Sequence, residues 1–204
     1  MASKLVPSDN QELAGFIRKF ADALIENSRG DELLVKAGQA MLEKVESFIK
    51  LDERAAQIAA DKKLVNQKKY DLRDDLSEAV VHHRIYLKYK LMRTPEEIER
   101  FSIKGGVPED KQEFAGYMRK LADALIANAG GDKVLSAAGQ AMLPKIEEFI
   151  KLDEQAMSLA ADKKLANEQK YALRDEMRDD ATEMIFYLKY KLGRTSTELD
   201  KYIV

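Results

Sequence analysis

The feature that most constrains this chain is an internal repeat. When the sequence is shifted by 101 residues, Val6–Ile103 aligns with Val107–Val204 without a gap, and about 54 of the 98 paired positions are identical. Such self-similarity indicates tandem duplication of one structural unit of roughly 100 residues. We therefore predict two homologous domains, residues 1–103 (the first segment) and 104–204 (the second segment). Residues 103–108, with two glycines and a proline, form the predicted linker.

The spacing of apolar residues predicts an all-α fold. In the first segment Leu13, Ile17, Phe20 and Leu24 recur at intervals of three and four, which places them on one face of a helix. The chain is 45% hydrophobic and 34% charged, with only 4 prolines and no cysteine, a composition that suits a folded helical protein without disulfides.

Signals for helix starts and ends occur in both segments. Asp9 and Glu12 predict the start of a first helix, and Asp110 with Glu113 repeat the pattern. Gly30 and Gly131 then stand where a left-handed residue ends a helix, and each is followed by an aspartate that can cap the next helix (Asp31 and Asp132). This short connection predicts antiparallel neighbouring helices, with Gly38 facing the Ala21 region at close range.

The second helix allows two interpretations, because residues 48–91 contain no glycine or proline. One is a single helix of some 50 residues, about 75 Å long at 1.5 Å per residue. The other is a break near Asp61–Asn66, repeated near Asp162–Asn167. We favour the break, because a first helix of about 20 residues cannot cover so long an apolar stripe. Pro144 predicts a kink or a restart in the second segment.

A short last helix completes each segment. Thr94 and Glu97 form a predicted capping box around Pro95, and Thr195 with Glu198 repeat it without the proline. Each segment is thus predicted to be an antiparallel bundle of three long helices plus one short helix. The duplication would allow a pseudo-twofold arrangement of the two bundles.

One candidate metal site follows from the only two histidines. Glu78, His82 and His83 lie within two turns of a predicted helix, and Glu78 shares a face with His82. The spacing does not match the Glu-x-x-His pattern of carboxylate-bridged metal bundles. The second segment also carries Glu183 and Met184 in place of the histidines. We expect these residues to have a structural role, with neither metal nor cofactor bound.

The candidate interaction residues come from a hexapeptide that is identical in both segments. Tyr-Leu-Lys-Tyr-Lys-Leu occupies 86–91 and 187–192, and each copy is followed by an arginine. Tyrosines between lysines can stack on bases and neutralise phosphates. Cations near a helix C-terminus equally complement the helix dipole. The candidate residues are Tyr86, Lys88, Tyr89, Lys90, Arg93, Tyr187, Lys189, Tyr190, Lys191 and Arg194.

The sequence contains no recognisable catalytic or phosphate-binding motif, so we expect a non-enzymatic helical-bundle protein that acts as an interaction partner or scaffold. Its partner would be another protein or a second copy, bound through a helical face. The net charge of −2 argues against nucleic acid as the main partner. Nucleic-acid binding through 86–93 and 187–194 is the first alternative, and a metal or small-molecule site between helices is the second. No membrane-spanning or signal-like run is present, which favours a soluble cytoplasmic protein.

Overall fold

The computed structural model describes Val6, Pro7, residues 9–101, residues 106–194 and residues 196–202. Regular structure in this part of the chain is entirely helical, which confirms the all-α prediction, and none of its helices is long and apolar enough to cross a membrane. The elements are α1 (Asn10–Glu26), α2 (Glu32–Ile85), a π-helical turn (Tyr86–Lys90), α3 (Pro95–Glu99), α4 (Lys111–Ala127), α5 (Lys133–Leu192) and a 3-10 helix (Thr197–Lys201).

The predicted break in the second helix is wrong. Helix α2 runs for 54 residues through Asp61–Asn66, and α5 runs for 60 residues through Asp162–Asn167. Each segment therefore has one helix of 17 residues and one very long helix, instead of three long helices. Pro144 lies inside α5, so no restart occurs there. Of the predicted linker, residues 103–105 lie outside the described residues.

The chain divides into two compact units, and each unit takes residues from both segments. Unit 1 comprises Met1–Ala59 and Ala161–Val204, and unit 2 comprises Ala60–Ala160. The boundaries fall inside α2 and α5, whereas the predicted domain boundary lies in the linker. The long apolar stripe of α2 therefore needs no break, because its second half is covered by the first helix of the other segment.

The core of unit 1 joins α1 and the first half of α2 to the end of α5. Its buried side chains from α5 replace those that a third helix of the first segment was expected to supply. The buried cluster contains Leu13, Ile17, Phe20, Leu24, Leu34, Met41, Val45, Phe48, Met177, Ala181, Ile185 and Leu188, and the C-terminal Leu199 and Tyr202 complete it.

The core of unit 2 is assembled in the corresponding way, from α4, the first half of α5 and the end of α2. Phe114 and Phe149 lie at its centre, with ring centroids 5.0 Å apart. The cluster contains Leu76, Val80, Leu87, Phe101, Phe114, Met118, Leu121, Leu125, Leu135, Met142, Ile146 and Phe149. Phe101, which follows α3, is buried there.

The predicted helix signals are confirmed where they can be observed. The backbone N–H of Glu12 donates to Asp9, and those of Gln112 and Glu113 donate to Asp110. Asp31 and Asp132 accept from backbone N–H groups at the starts of α2 and α5. Gly30 and Gly131 have φ of 84° and 88°.

The capping box of α3 has both of its hydrogen bonds. The N–H of Glu97 donates to Thr94 Oγ1, and the Thr94 N–H donates to the Glu97 carboxylate. Thr195, the first residue of the other predicted box, lies outside the described residues. In the 3-10 helix, Ser196 Oγ instead accepts from the Glu198 N–H.

Close approach between helices explains two of the helical glycines. A Cβ on Gly38 would lie 2.7 Å from the carbonyl oxygen of Ala21, and a Cβ on Gly139 would lie 2.5 Å from that of Ala122. Distances below 3.0 Å are not tolerated, so only glycine fits at these positions without movement of the backbone. The predicted contact between Gly38 and Ala21 is confirmed.

Candidate interaction surface

The two Tyr/Lys segments belong to different units, so they are two separate candidate surfaces. Residues 86–93 lie in unit 2 and residues 187–194 in unit 1. Although 86–91 and 187–192 have the same sequence, Tyr86–Lys90 forms a π-helical turn whereas 187–192 ends α5 as an α-helix. The Leu91 N–H donates to the carbonyl of Tyr86, five residues back. Such π-turns widen a helix locally and often mark functional positions.

The helix ends also differ in backbone strain. After the π-turn, Met92 takes a left-handed conformation with φ of 51°, whereas the second segment has Gly193 there with φ of 90°. A left-handed conformation costs a non-glycine residue roughly 1 kcal/mol. The first segment therefore keeps an exposed methionine at a position where glycine would be more stable.

Two of the candidate tyrosines are structural. Tyr86 is half-buried and its hydroxyl donates to Asp132 over 3.0 Å, while the Tyr187 hydroxyl donates to Asp31 over 3.1 Å. Both aspartates also cap the following long helix. Each tyrosine thus ties the end of one long helix to the beginning of the other inside its unit, which leaves its hydroxyl engaged.

Hydrogen bonding at these aspartates lowers their pKa values. The pKa of Asp132 falls mainly because the Leu135 N–H stabilises the carboxylate. The pKa of Asp31 falls mainly because Lys191 donates to it, with further bonds from the Leu33 N–H and from Tyr187. Burial raises the pKa of Tyr86, so this hydroxyl keeps its proton and remains a donor to Asp132.

The candidate cations divide into paired and free groups. Arg93 donates to Glu97 over 3.0 Å, and Lys191 is paired with Asp31. Lys88 lies against the ring of Tyr89, 4.9 Å from its centroid. Within the described ranges, Lys90, Lys189 and Arg194 form no ion pair, so these cations are available to a partner.

An exposed apolar strip lies at the end of α2 and continues past the π-turn. It consists of Val81, Ile85, Tyr89 and Met92, whose exposed fractions are 54%, 50%, 62% and 78%. We call these four residues the α2 strip. The spacing of four between Val81, Ile85 and Tyr89 places these three on one side of α2 and its π-turn, and the core residues Leu76, Val80 and Leu87 face the other side. Met92 follows just past the end of the helix. A shallow depression of about 510 Å³ adjoins it, lined by His82, Ile85, Tyr86, Tyr89 and Lys90.

The end of α5 carries a shorter counterpart. Phe186 is 56% exposed and Tyr190 is 90% exposed, and they occupy the positions of Ile85 and Tyr89. We call this pair the α5 strip. Thr182 and Gly193 stand where Val81 and Met92 stand in the other segment, so its apolar area is smaller.

Sequence reasoning found the tyrosines but missed Val81, Ile85, Met92 and Phe186. The signal was present, because Val81, Ile85 and Tyr89 repeat at four-residue intervals outside the core-facing positions Leu76, Val80, His83 and Leu87. When one side of a helix already faces the core, a second apolar stripe on the same helix indicates an interaction surface and not a core.

Two of the three candidate metal residues, Glu78 and His82, lie close together. His82 Nε2 lies 3.6 Å from Glu78 Oε1, and both side chains are about two-thirds exposed. His83 is half-buried, and its pKa is lowered first by burial and then by the neighbouring His82. In the part of the chain that the structure describes, no three His, Cys, Asp or Glu side chains are grouped so as to hold a metal ion.

A second cleft lies in unit 1 between the loop after α1 and the end of α5. It has a volume of about 370 Å³, and its wall includes Arg29, Asp31, Lys191, Glu198 and Tyr202. Its charges are satisfied internally, since Arg29 donates to Glu198 over 2.9 Å and Lys191 is paired with Asp31. The Tyr202 hydroxyl donates to the Asn27 carbonyl over 2.6 Å. This network holds the 3-10 helix and Tyr202 against the loop after α1.

No protein-family model, curated protein or solved structure matches this chain.

Proposed function

We propose that this chain is a non-enzymatic partner-binding protein whose main binding surface is the α2 strip. One observation carries the proposal: Val81, Ile85 and Tyr89, each at least half exposed, line up on the solvent side of α2 and its π-turn, and the exposed Met92 follows just past the helix end. Single exposed apolar residues are ordinary, but a contiguous group indicates an interface.

The surroundings of the strip favour an acidic, amphipathic peptide segment of a partner protein. Arg84 and Lys88 flank the strip on one side and Lys90 on the other, and all three side chains are exposed. A helix that inserts apolar residues beside Tyr89 and Ile85 could place carboxylates against these cations. This is the usual mode by which amphipathic helices bind shallow grooves, with charge complementarity selecting the partner.

The α5 strip supports a second, weaker site of the same kind. It retains an exposed tyrosine and an exposed aromatic residue one turn earlier, next to Lys189 and Arg194. Its smaller apolar area predicts lower affinity for the same peptide class. Two such sites in one chain would suit a scaffold that engages a repeated or dimeric partner.

The proposal also includes the origin of the two strips by tandem duplication. Contacts between equivalent residues, related by a shift of 101 positions, support it. Lys69 pairs with Asp153 as Lys170 pairs with Asp52, and Tyr86 donates to Asp132 as Tyr187 donates to Asp31. Gly38 and Gly139 make equivalent close approaches. The pseudo-twofold arrangement stays a prediction.

The test is a selection from a random peptide display library, with the Ile85→Ser/Tyr89→Ser double variant as the counter-selection target. We expect enriched peptides that combine apolar residues with several Asp or Glu residues. Their binding should weaken with salt and be lost in the double variant, because the apolar contact and the neighbouring cations act together. Leu64→Ser is the matched control, since Leu64 is 57% exposed on the same helix but away from the strip.

Two outcomes would overturn the proposal. One is no enrichment, or enrichment of peptides that bind the double variant equally well. The other is tight binding of a single-stranded thymidine oligonucleotide that is lost in Tyr89→Ser while no acidic peptide binds. That result would assign the surface to nucleic acid, with base stacking on Tyr89.

A further inference from the structure

Each hydrophobic core in this chain is shared between the two segments. In unit 1, Leu13 and Phe20 of the first segment are buried in one cluster with Met177 and Ile185 of the second. In unit 2, Leu76 and Val80 of the first segment are buried with Phe114 and Met118 of the second, among others. Neither segment contains a complete core by itself.

Three side-chain ion pairs also join the two segments. Lys69 Nζ lies 2.8 Å from Asp153 Oδ1, Lys170 Nζ lies 2.8 Å from Asp52 Oδ1, and Lys44 Nζ lies 2.8 Å from Asp180 Oδ2. Lys69 and Lys170 are buried, with exposed fractions of 1% and 8%. Each of these pairs has one partner on each segment, so separation of the segments would break all three.

We propose that the two segments are mutual binding partners, which hold together without the covalent connection at residues 102–105 and prefer each other to copies of themselves. The proposal is independent of the function assigned to the strips. It concerns the interface between residues 6–101 and residues 106–202, which the structure describes except for residues 8 and 195.

The preference for unlike segments needs a physical cause, because the ion pairs alone do not provide one. Two first segments could still place Lys69 against Asp52, since the second segment carries the same residues 101 positions later. The preference for unlike segments must therefore come from positions at which the two sequences differ and the two units pack differently.

Ile185 and Arg84 provide that cause. Ile185 is fully buried in the core of unit 1, in the cluster against which Phe16 packs. The equivalent residue in unit 2 is the exposed Arg84, and Tyr117 takes the place of Phe16. Pairing two first segments would put Arg84 at the buried position of Ile185, next to an apolar surface. The desolvation of this charge opposes the like pair and favours the unlike one.

The first experiment uses the full chain with a protease site inserted between Lys104 and Gly105, cleaved after folding. Native mass spectrometry and size-exclusion chromatography are expected to show one particle of the full chain's mass that contains both pieces. Circular dichroism should retain its helical signal. Elution of two separate pieces, or loss of helix after cleavage, would overturn the proposal.

The second experiment tests the preference. The cleaved protein is unfolded in guanidinium chloride and diluted back, and native mass spectrometry measures the composition of the particles. Unlike pairs should exceed pairs of first segments by more than about tenfold, a ratio that corresponds to about 1.4 kcal/mol. A statistical mixture of like and unlike pairs, or a failure to reassociate, would contradict the inference.

An Arg84→Ile variant tests whether the charge of Arg84 causes the preference for unlike segments. Removing this charge should raise the fraction of pairs between first segments several-fold, because the obstacle at the Ile185 position is gone. Arg84 is exposed, so its own unit should fold normally. Lys88→Ile, at an exposed position in the π-turn that follows α2, is the matched control and should leave the distribution unchanged. An Arg84→Ile distribution identical to that of the unmodified chain would disprove the role given to Arg84.

Discussion

Lys69 Nζ lies 2.8 Å from Asp153 Oδ1, and the lysine side chain is almost completely buried in unit 2. Lys111 reaches the same carboxylate oxygen over 3.2 Å from the more exposed side. Asp153 thus has two cations whereas Lys69 has one anion. This asymmetry makes the consequences of removing each partner different.

Asp153→Asn should destabilise the protein by about 3 kcal/mol, because it leaves Lys69 buried without a counter-charge. Lys69→Met should change the free energy of unfolding by less than about 1 kcal/mol, since methionine fills a similar volume and Asp153 keeps Lys111. Chemical denaturation of both variants measures the difference. Equal losses in the two variants would show that the pair does not have this asymmetry.

The same pair predicts a loss of stability in acid. Burial tends to raise the pKa of Asp153, but hydrogen bonds from Lys69 and Lys111 outweigh it, so the folded-state pKa lies below the ordinary value. The carboxylate therefore contributes stability that is complete above its unfolded pKa of about 3.9 and is lost as the pH falls through the lower folded value. Unfolding curves between about pH 2 and pH 6 should show a smaller pH dependence in Asp153→Asn than in the unmodified chain.

Two glycines of the first segment should respond to alanine with opposite signs. Gly15 lies in α1 with open space around it, so Gly15→Ala should stabilise the chain by up to about 1 kcal/mol. Gly38→Ala should destabilise it by more than about 1 kcal/mol, because the new Cβ would meet the Ala21 carbonyl. Thermal unfolding of the two variants, compared in one buffer, is the measurement. A stabilised Gly38→Ala protein would rule out the close approach.

The unbroken course of α2 makes a further prediction at Leu64, in the region where a break was expected. Leu64→Pro should destabilise the protein by about 3 kcal/mol or more, because proline removes a helix hydrogen bond and clashes with the preceding turn. Leu64→Ala is the control and should change stability little, since this side chain is 57% exposed. If α2 were two helices joined near Leu64, the proline would be tolerated.

Pro144 offers the reverse experiment in α5. The helix continues through it from Lys133 to Leu192, so the backbone lacks one helical hydrogen bond there. Pro144→Ala should raise the free energy of unfolding, by at most about 3 kcal/mol, the difference between the helix propensities of the two residues. Differential scanning calorimetry should show a higher melting temperature. No increase would mean that the surrounding structure has adapted to the proline.

Local features of this fold could be predicted from the sequence because local chemistry determines them. Asp31 caps α2 and Gly30 adopts positive φ because a tight connection between helices needs an acceptor and a left-handed residue. The box of Thr94 and Glu97 forms for the same reason. These signals act within four residues of one another, so no knowledge of distant contacts was required.

The course of the long helices could not be predicted in this way. A break in α2 would be needed only if α1 alone covered the apolar face of α2. The second half of that face is instead covered by Phe114 and Met118, which belong to the other segment. Nothing in the periodicity of Leu76 and Val80 indicates which of two similar first helices packs on them. The α2 strip is not apparent from the repeat for a related reason: Tyr89 recurs as Tyr190, whereas Val81 and Ile85 have no identical counterparts in the second segment.

Because the unit boundaries fall inside α2 and α5 and not in a loop, shortening the chain has an unusual consequence. A fragment that stops after the first repeat would keep α1 and α2 but lose the side chains of α4 and α5 that are buried with Leu76 and Val80. Such a fragment would present two uncovered apolar faces, one at each end of the same helix, and would be prone to precipitate or to recruit another copy. In this molecule, one sequence repeat therefore contributes part of each of the two structural units.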